Sequence, residues 1–188
     1  LSRTKFGEQQ LDPNEIEKIF VTNRTHEVGV EAVVIHEGYL SDAPEGSIDI
    51  AILTLNQPLR GSKPVQLVGQ VDLDERVIYL ARNSGPRSVV LESCPLGLGR
   101  PYYSYGRTNF QCINHIERDQ IGTCAGDSGS PIISIDPEGI IKLVAIQHAG
   151  HSLEEKLDAA CRNGHESLAY GVTLTVGPLV GWVNRGVR

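Results

Sequence analysis

The chain has 188 residues, 40% of them hydrophobic and 21% charged, with a formal net charge of −6. This apolar share is enough to bury a sizeable core in one domain or two small ones, which excludes a disordered segment. The negative balance, with no Lys/Arg run to reverse it, excludes a general binder of nucleic acid or anionic membrane, and every apolar stretch is far too short to span a bilayer.

In chain order, short apolar and β-branched runs predict strands over 19–22, 28–35, 48–55, 77–81, 88–91, 131–135, 141–146 and 170–176. Gly, Pro, Asn and Asp clusters separate them, the spacing of an all-β sandwich or barrel. Between the first two runs, Asn23-Arg24-Thr25 matches a glycosylation sequon. Asp49 stands at the head of the third run and is expected to be a buried carboxylate in need of a partner, or else a turn residue capping the loop after Gly46. Pro64 and two glycines interrupt the pattern over 61–70, which marks a linker between two β units. Pro178 suits a first helical turn, so 178–183 is expected to be a helix packed through Trp182.

Four cysteines, Cys94, Cys112, Cys124 and Cys161, form an even set in the second half, compatible with two disulfides in an extracytoplasmic protein or with buried thiols. The chain starts at Leu1 and contains no Met, so it reads as a processed chain or fragment; an absent signal peptide then says little about compartment.

The most specific chemistry lies in Cys124-Ala125-Gly126-Asp127-Ser128-Gly129-Ser130-Pro131. Gly126 and Gly129 permit backbone conformations closed to residues with a Cβ, so N–H groups around Ser128 can converge on one point and stabilise an oxyanion. An α/β-hydrolase elbow needs Gly two residues after its serine, and here that residue is Ser130. The run resembles the C-x-G-D-S-G-G-P motif of chymotrypsin-like serine proteases, departing from it at Ser130. Two further stretches carry the same resemblance: Ser47-Ile48-Asp49-Ile50-Ala51-Ile52-Leu53-Thr54-Leu55 is similar to the family's D-I-A-L-L-x-L strand, and Val33-Val34-Ile35-His36-Glu37-Gly38-Tyr39 to the V-H-P-x-Y stretch before it.

That resemblance implies an all-β, two-barrel chymotrypsin-like fold with a short C-terminal helix, in which 1–66 form the second half of the N-terminal barrel and 67–188 the C-terminal barrel and helix. It implies Ser128 as nucleophile, the N–H groups of Gly126 and Ser128 as oxyanion hole, and Asp49 as the carboxylate that orients a catalytic His. In relatives the residue at Asp127 can bind a newly generated N-terminal amine; Leu1 is a poor candidate for that amine. The pocket for the polypeptide substrate is implied at Gly122, Thr123, Ala125, Gln147, His148, Ala149 and Gly171. Gly122 occupies the floor position that is Asp in trypsin-like enzymes, so Arg or Lys specificity is not expected. The disulfides implied are Cys94–Cys112 and Cys124–Cys161.

The family's His lies in a T-A-A-H-C motif, and none precedes Asp49; His26 and His36 lack those surroundings and are expected to be structural or surface residues. The first half of the N-terminal barrel is therefore expected on a separate polypeptide, the N-terminal chain of the same precursor, which supplies the His and completes a barrel that three strands cannot close. The reading is a secreted or periplasmic endopeptidase with no cofactor, resident metal, nucleic-acid partner or membrane span. Its rival is an inactive homologue acting as a binding or regulatory module. A third reading, a metal-binding β protein, rests on the zinc-like spacing of His148, His151, Cys161 and His165 and leaves the Ser128 run unexplained.

Overall fold

The structure, a computed structural model, describes residues 2–3, 9–10, 16–39, 48–68, 76–81, 85–92, 110–115, 126–151, 170–175 and 179–186. The chain divides into two compact units, Leu1–Pro64 with Gly181–Arg188, and Val65–Val180. The elements among these residues are β1 (Ser2–Arg3), β2 (Gln9–Gln10), β3 (Phe20–Thr22), β4 (Glu27–Ile35), β5 (Ala51–Leu55), β6 (Gln66–Leu67), β7 (Arg76–Ala81), β8 (Gly85–Glu92), β9 (Phe110–His115), β10 (Pro131–Ile135), β11 (Ile141–His151), β12 (Tyr170–Thr175) and the helix α1 (Val180–Gly186).

In the first unit, β1 pairs with β2, and β3, β4 and β5 form an antiparallel meander. Val28 and Val30 point inward with the two-residue period of a strand, and then the register shifts between Val30 and Ala32. The extra residue, Glu31, flips the parity, so the next buried position is Val33. Val30 and Val33 pack with Ile16, and Ile19, Val21, Ile35 and Leu55 cover them in part. The outer strands stay exposed, Phe20 at 54% and Leu53 at 40%.

A single asparagine fixes the turn between β3 and β4. Asn23 Oδ1 accepts from the N–H groups of Thr25 (3.0 Å) and His26 (2.9 Å), and its Nδ2 donates to the Arg60 carbonyl (2.9 Å) and to Ser62 Oγ (3.2 Å). The amide that would carry a glycan in the sequon is thus used inside the fold. His36 follows β4; its Nδ1 accepts from the Gly38 N–H (2.9 Å), and its ring lies 4.8 Å from that of Trp182 on α1, which is buried. Burial lowers the His36 pKa, as does the charge of Arg185, against the raising effect of Glu37.

In the second unit β7 pairs with β8, β8 with β9, β9 with β12, β12 with β11, β11 with β10, and β10 back with β7. The ring of antiparallel pairings closes on itself as a six-stranded barrel. β6 is added outside the ring, parallel to β11, within the 61–70 stretch that reads as linker in the sequence. The core comprises Val77, Tyr79 and Ala81 from β7, Val89 and Leu91 from β8, Ile113 from β9, Ile132 from β10, and Val144 and Ala145 from β11. Alternation gives the β7 and β8 sets. The consecutive pair on β11 comes from a bulge: Ile132 faces Ala145 and Ile133 faces Leu143, leaving Val144 over.

Several boundaries differ from the sequence expectation. Residues 48–50 are irregular and β5 starts at Ala51, β8 begins at Gly85, β11 runs on to His151, and α1 ends at Gly186. Strand β9 was not expected, because its central residues Cys112 and Ile113 are both fully buried and no alternation marks it. Among the described residues no helix is long and apolar enough to cross a membrane.

Asn23→Ala, which removes all five hydrogen bonds of the Asn23 side chain, the one from Thr25 Oγ1 (3.3 Å) included, is expected to destabilise the first unit by roughly 1–2 kcal/mol, read from denaturant unfolding. Since the folded-state pKa of His36 lies below its ordinary value of 6.5, its contribution is complete above that pH and is lost as pH falls through the folded value. Acidification below about pH 6.5 should therefore lower stability and quench Trp182, the single tryptophan, and His36→Phe should remove that limb.

Candidate active site

Ser128 lies in the turn that feeds β10, exposed, between two glycines with left-handed backbone, Gly126 (φ 89°) and Gly129 (φ 83°). A side chain at 129 would meet nothing within 4 Å, so this glycine is required by its φ and not by crowding. Two backbone bonds fasten the turn to β11: the Gly129 N–H donates to the Gln147 carbonyl (2.8 Å), and the Gln147 N–H donates to the Ser130 carbonyl (2.9 Å). A third, from the Ser130 N–H to the Asp127 carbonyl (2.9 Å), closes the turn itself. The N–H groups of Gly129 and Ser130 are thereby committed to scaffolding, and the Ser128 side chain is left at the surface of a fixed loop.

Beneath it the Asp127 side chain is fully buried, and Ser130 nearly so. The buried Tyr79 hydroxyl lies close enough to the Asp127 carboxylate for burial and that negative charge together to raise its pKa, without a well-aligned hydrogen bond between them. Arg87 is half-buried. Burial lowers its pKa, while the charge of Asp127 works the other way by favouring the cation.

Of the pocket positions, Gln147 is buried on β11, and its backbone holds the Ser128 turn through the two bonds to Gly129 and Ser130. The pairing of β11 with β12 passes from Gln147–Thr173 directly to Ala149–Val172, so His148 is the extra residue of a bulge. Such a bulge re-aims one side chain, and the sequence gives no sign of it. Gly171 pairs with Gly150 on one side and Ile113 on the other, which puts it in the wall beside the bulge. Gly122, Thr123 and Ala125 lie outside the described residues, as do Cys94, Cys124 and Cys161. Cys112, fully buried on β9, is not a free thiol. Two of the zinc-spaced residues, Cys161 and His165, also lie outside the described set.

Asp49 belongs to the first unit, Ser128 to the second. The sequence expects at 49 a buried carboxylate, or else a turn residue after Gly46; the structure leaves Asp49 exposed ahead of an outer strand of the meander that is itself largely exposed. Both upstream histidines have local structural duties. His26 Nδ1 lies 2.7 Å from Thr25 Oγ1 in the β3–β4 turn, and His36 is held by Gly38 and Trp182. Sequence reasoning missed Tyr79 and Arg87, although Arg87 has the same strand parity as Val89 and Leu91, which points it inward.

A protein-family model described as Trypsin matches residues 14–160, most of the chain. No curated protein matches it. With mostly antiparallel strands and a short C-terminal helix among the described residues, the match establishes a chymotrypsin-like all-β fold.

The loop geometry predicts a cost for any Cβ at 129. Gly129→Ala is expected to lose about 1–2 kcal/mol to left-handed backbone strain and to lower Tm by a few degrees, and Gly129→Asn, which tolerates that region, to lose less.

Proposed function

The chain belongs to the trypsin family of serine proteases, and from that premise we propose that it is the nucleophile-bearing part of a serine endopeptidase whose general base comes from outside these 188 residues. The observation that carries the reading is an exposed Ser128 between two left-handed glycines, on a turn fastened to β11 above a buried Asp127. Ser128 Oγ attacks the scissile carbonyl carbon as its proton passes to a histidine. The oxyanion takes hydrogen bonds from the N–H groups of Gly126 and Ser128. The amine then departs with that proton, and water hydrolyses the acyl-enzyme.

Asp49 orients the histidine. The base is assigned elsewhere because neither His26 nor His36 has the family's surroundings and both are engaged in the fold. In this reading an N-terminal chain of the same precursor, cleaved from a zymogen, carries it and covers the meander, in keeping with the exposure of Phe20 and Leu53. The substrate is a polypeptide bound along β11 and β12, its side chain received by Gly122, Thr123, Ala125, Gln147, His148, Ala149 and Gly171. Gly122 offers no anion to a basic side chain. Cys94–Cys112 and Cys124–Cys161 disulfides, in a secreted or periplasmic protein, complete the proposal and agree with Cys112 not being a free thiol.

A specific observation keeps a second reading in play, the engagement of both upstream histidines in the fold: without a base the same chain is an inactive homologue serving as a binding module. Fluorophosphonate labelling of the complete protein separates the two. Labelling abolished by Ser128→Ala supports the protease, while a complete protein that does not label is the binding module.

A further inference from the structure

Arg87 faces the wrong way for an ordinary surface cation. It pairs directly with Tyr79 across β8 and β7, and directly opposed residues share a face of the sheet. Tyr79 is fully buried in the barrel core, and it pairs on its other side with the buried Ile132 of β10. The parity of β8 says the same, since Arg87, Val89 and Leu91 alternate onto one face and the latter two are core residues. Three adjacent strands thus present a row of Ile132, Tyr79 and Arg87, and the turn bearing Asp127 and Ser128 enters β10 at its end. A fully buried carboxylate is costly unless paired, and the half-buried, inward-facing guanidinium of Arg87 is the cation that lies along the same row.

We propose that Arg87, reaching from the inward face of β8, is the counter-ion of Asp127 and the positioning residue that holds the Ser128 turn in its working shape, with Tyr79 packed beside the pair. The proposal rests on Ser128 being the nucleophile and goes beyond it. A cation supplied by the same barrel orders the loop, so no ammonium group from a cleaved chain terminus is needed for that purpose. The electrostatics agree: the Asp127 charge favours the guanidinium cation and disfavours ionisation of the Tyr79 hydroxyl. Any cleavage of the precursor then serves something other than forming the oxyanion hole.

The test uses the complete protein, with the polypeptide that carries its base, and three readouts on Arg87→Met, Arg87→Lys, Asp127→Asn and the Arg87→Met/Asp127→Asn double variant. In the first, the fluorophosphonate labelling rate of Arg87→Met is expected to fall about tenfold or more, with partial recovery in Arg87→Lys. In the second, amide hydrogen exchange across 126–130 should speed up in Arg87→Met while that of β8 and β9 stays near wild type. In the third, the Tm losses of Arg87→Met and Asp127→Asn should be strongly non-additive, the double variant losing little more than either single one. Labelling within about twofold of wild type, or faster than wild type as for a latch released, would overturn the proposal, as would additive Tm losses. If wild type does not label at all, the protease reading fails, and exchange and the cycle still decide the role of Arg87. Should Arg87→Met not fold, Arg87→Lys against Asp127→Asn supplies the same comparison.

Discussion

Strand β10 closes the barrel because it is paired on both edges, with β7 at Ile132 and Ile133 and with β11 from Pro131 to Ile135. Without either pairing the ring becomes an open sheet with two unprotected edges. Pro131, the first residue of β10, has no N–H to donate, and the pairing with β11 is carried backwards into the preceding turn by Gly129 and Ser130, which share Gln147 as partner. The Ser128 turn is therefore the last rung of barrel closure, not a loop hung from it. Its backbone is fixed by the same hydrogen bonds that complete the fold, which is what electrostatic stabilisation of a transition state requires of its donors.

The charges under the turn have a different logic. A buried ion pair rarely adds to stability over apolar residues of the same size, because desolvating both partners costs about what their attraction returns. Asp127 and the inward Arg87 are therefore not explained by the stability of the barrel, whose core is otherwise Val, Leu, Ile, Ala and Tyr. They are explained if the turn has to hold one conformation among several that an apolar contact would tolerate. Directional partners on neighbouring strands would give that selectivity, with the buried Tyr79 of β7 directly opposite Arg87 on β8.

Much of this was legible in the residues. The Gly-flanked serine, most strands of both units and the inward parity of β7 follow from turn chemistry and period-two alternation. The failures along the strands share a cause: they sit where alternation stops. β9 is buried on both faces at Cys112 and Ile113, and bulges at Glu31, Val144 and His148 each shift the parity of the residues beyond them on the strand. Asp49 was expected to be buried from the apolar strand after it, whereas burial depends on what covers that strand, which a local pattern does not encode. Arg87 was missed for the opposite reason: its parity was readable, but a charge in a strand is ordinarily assigned to solvent without asking which face it occupies.

The two units consequently differ in kind. The second satisfies its strand edges by closing on itself, and it carries the serine, its turn and the charges beneath. The first has a three-stranded meander with apolar residues exposed on both outer strands, and its two described histidines are engaged in a turn and against Trp182. Under the proposed mechanism the division is chemical as well. Charge stabilisation depends on backbone geometry that one closed barrel fixes alone, whereas proton transfer needs a single imidazole that any segment completing the open meander can bring. A turn ordered from within its own barrel would be ready before that imidazole arrives, and the reaction would wait on the base alone.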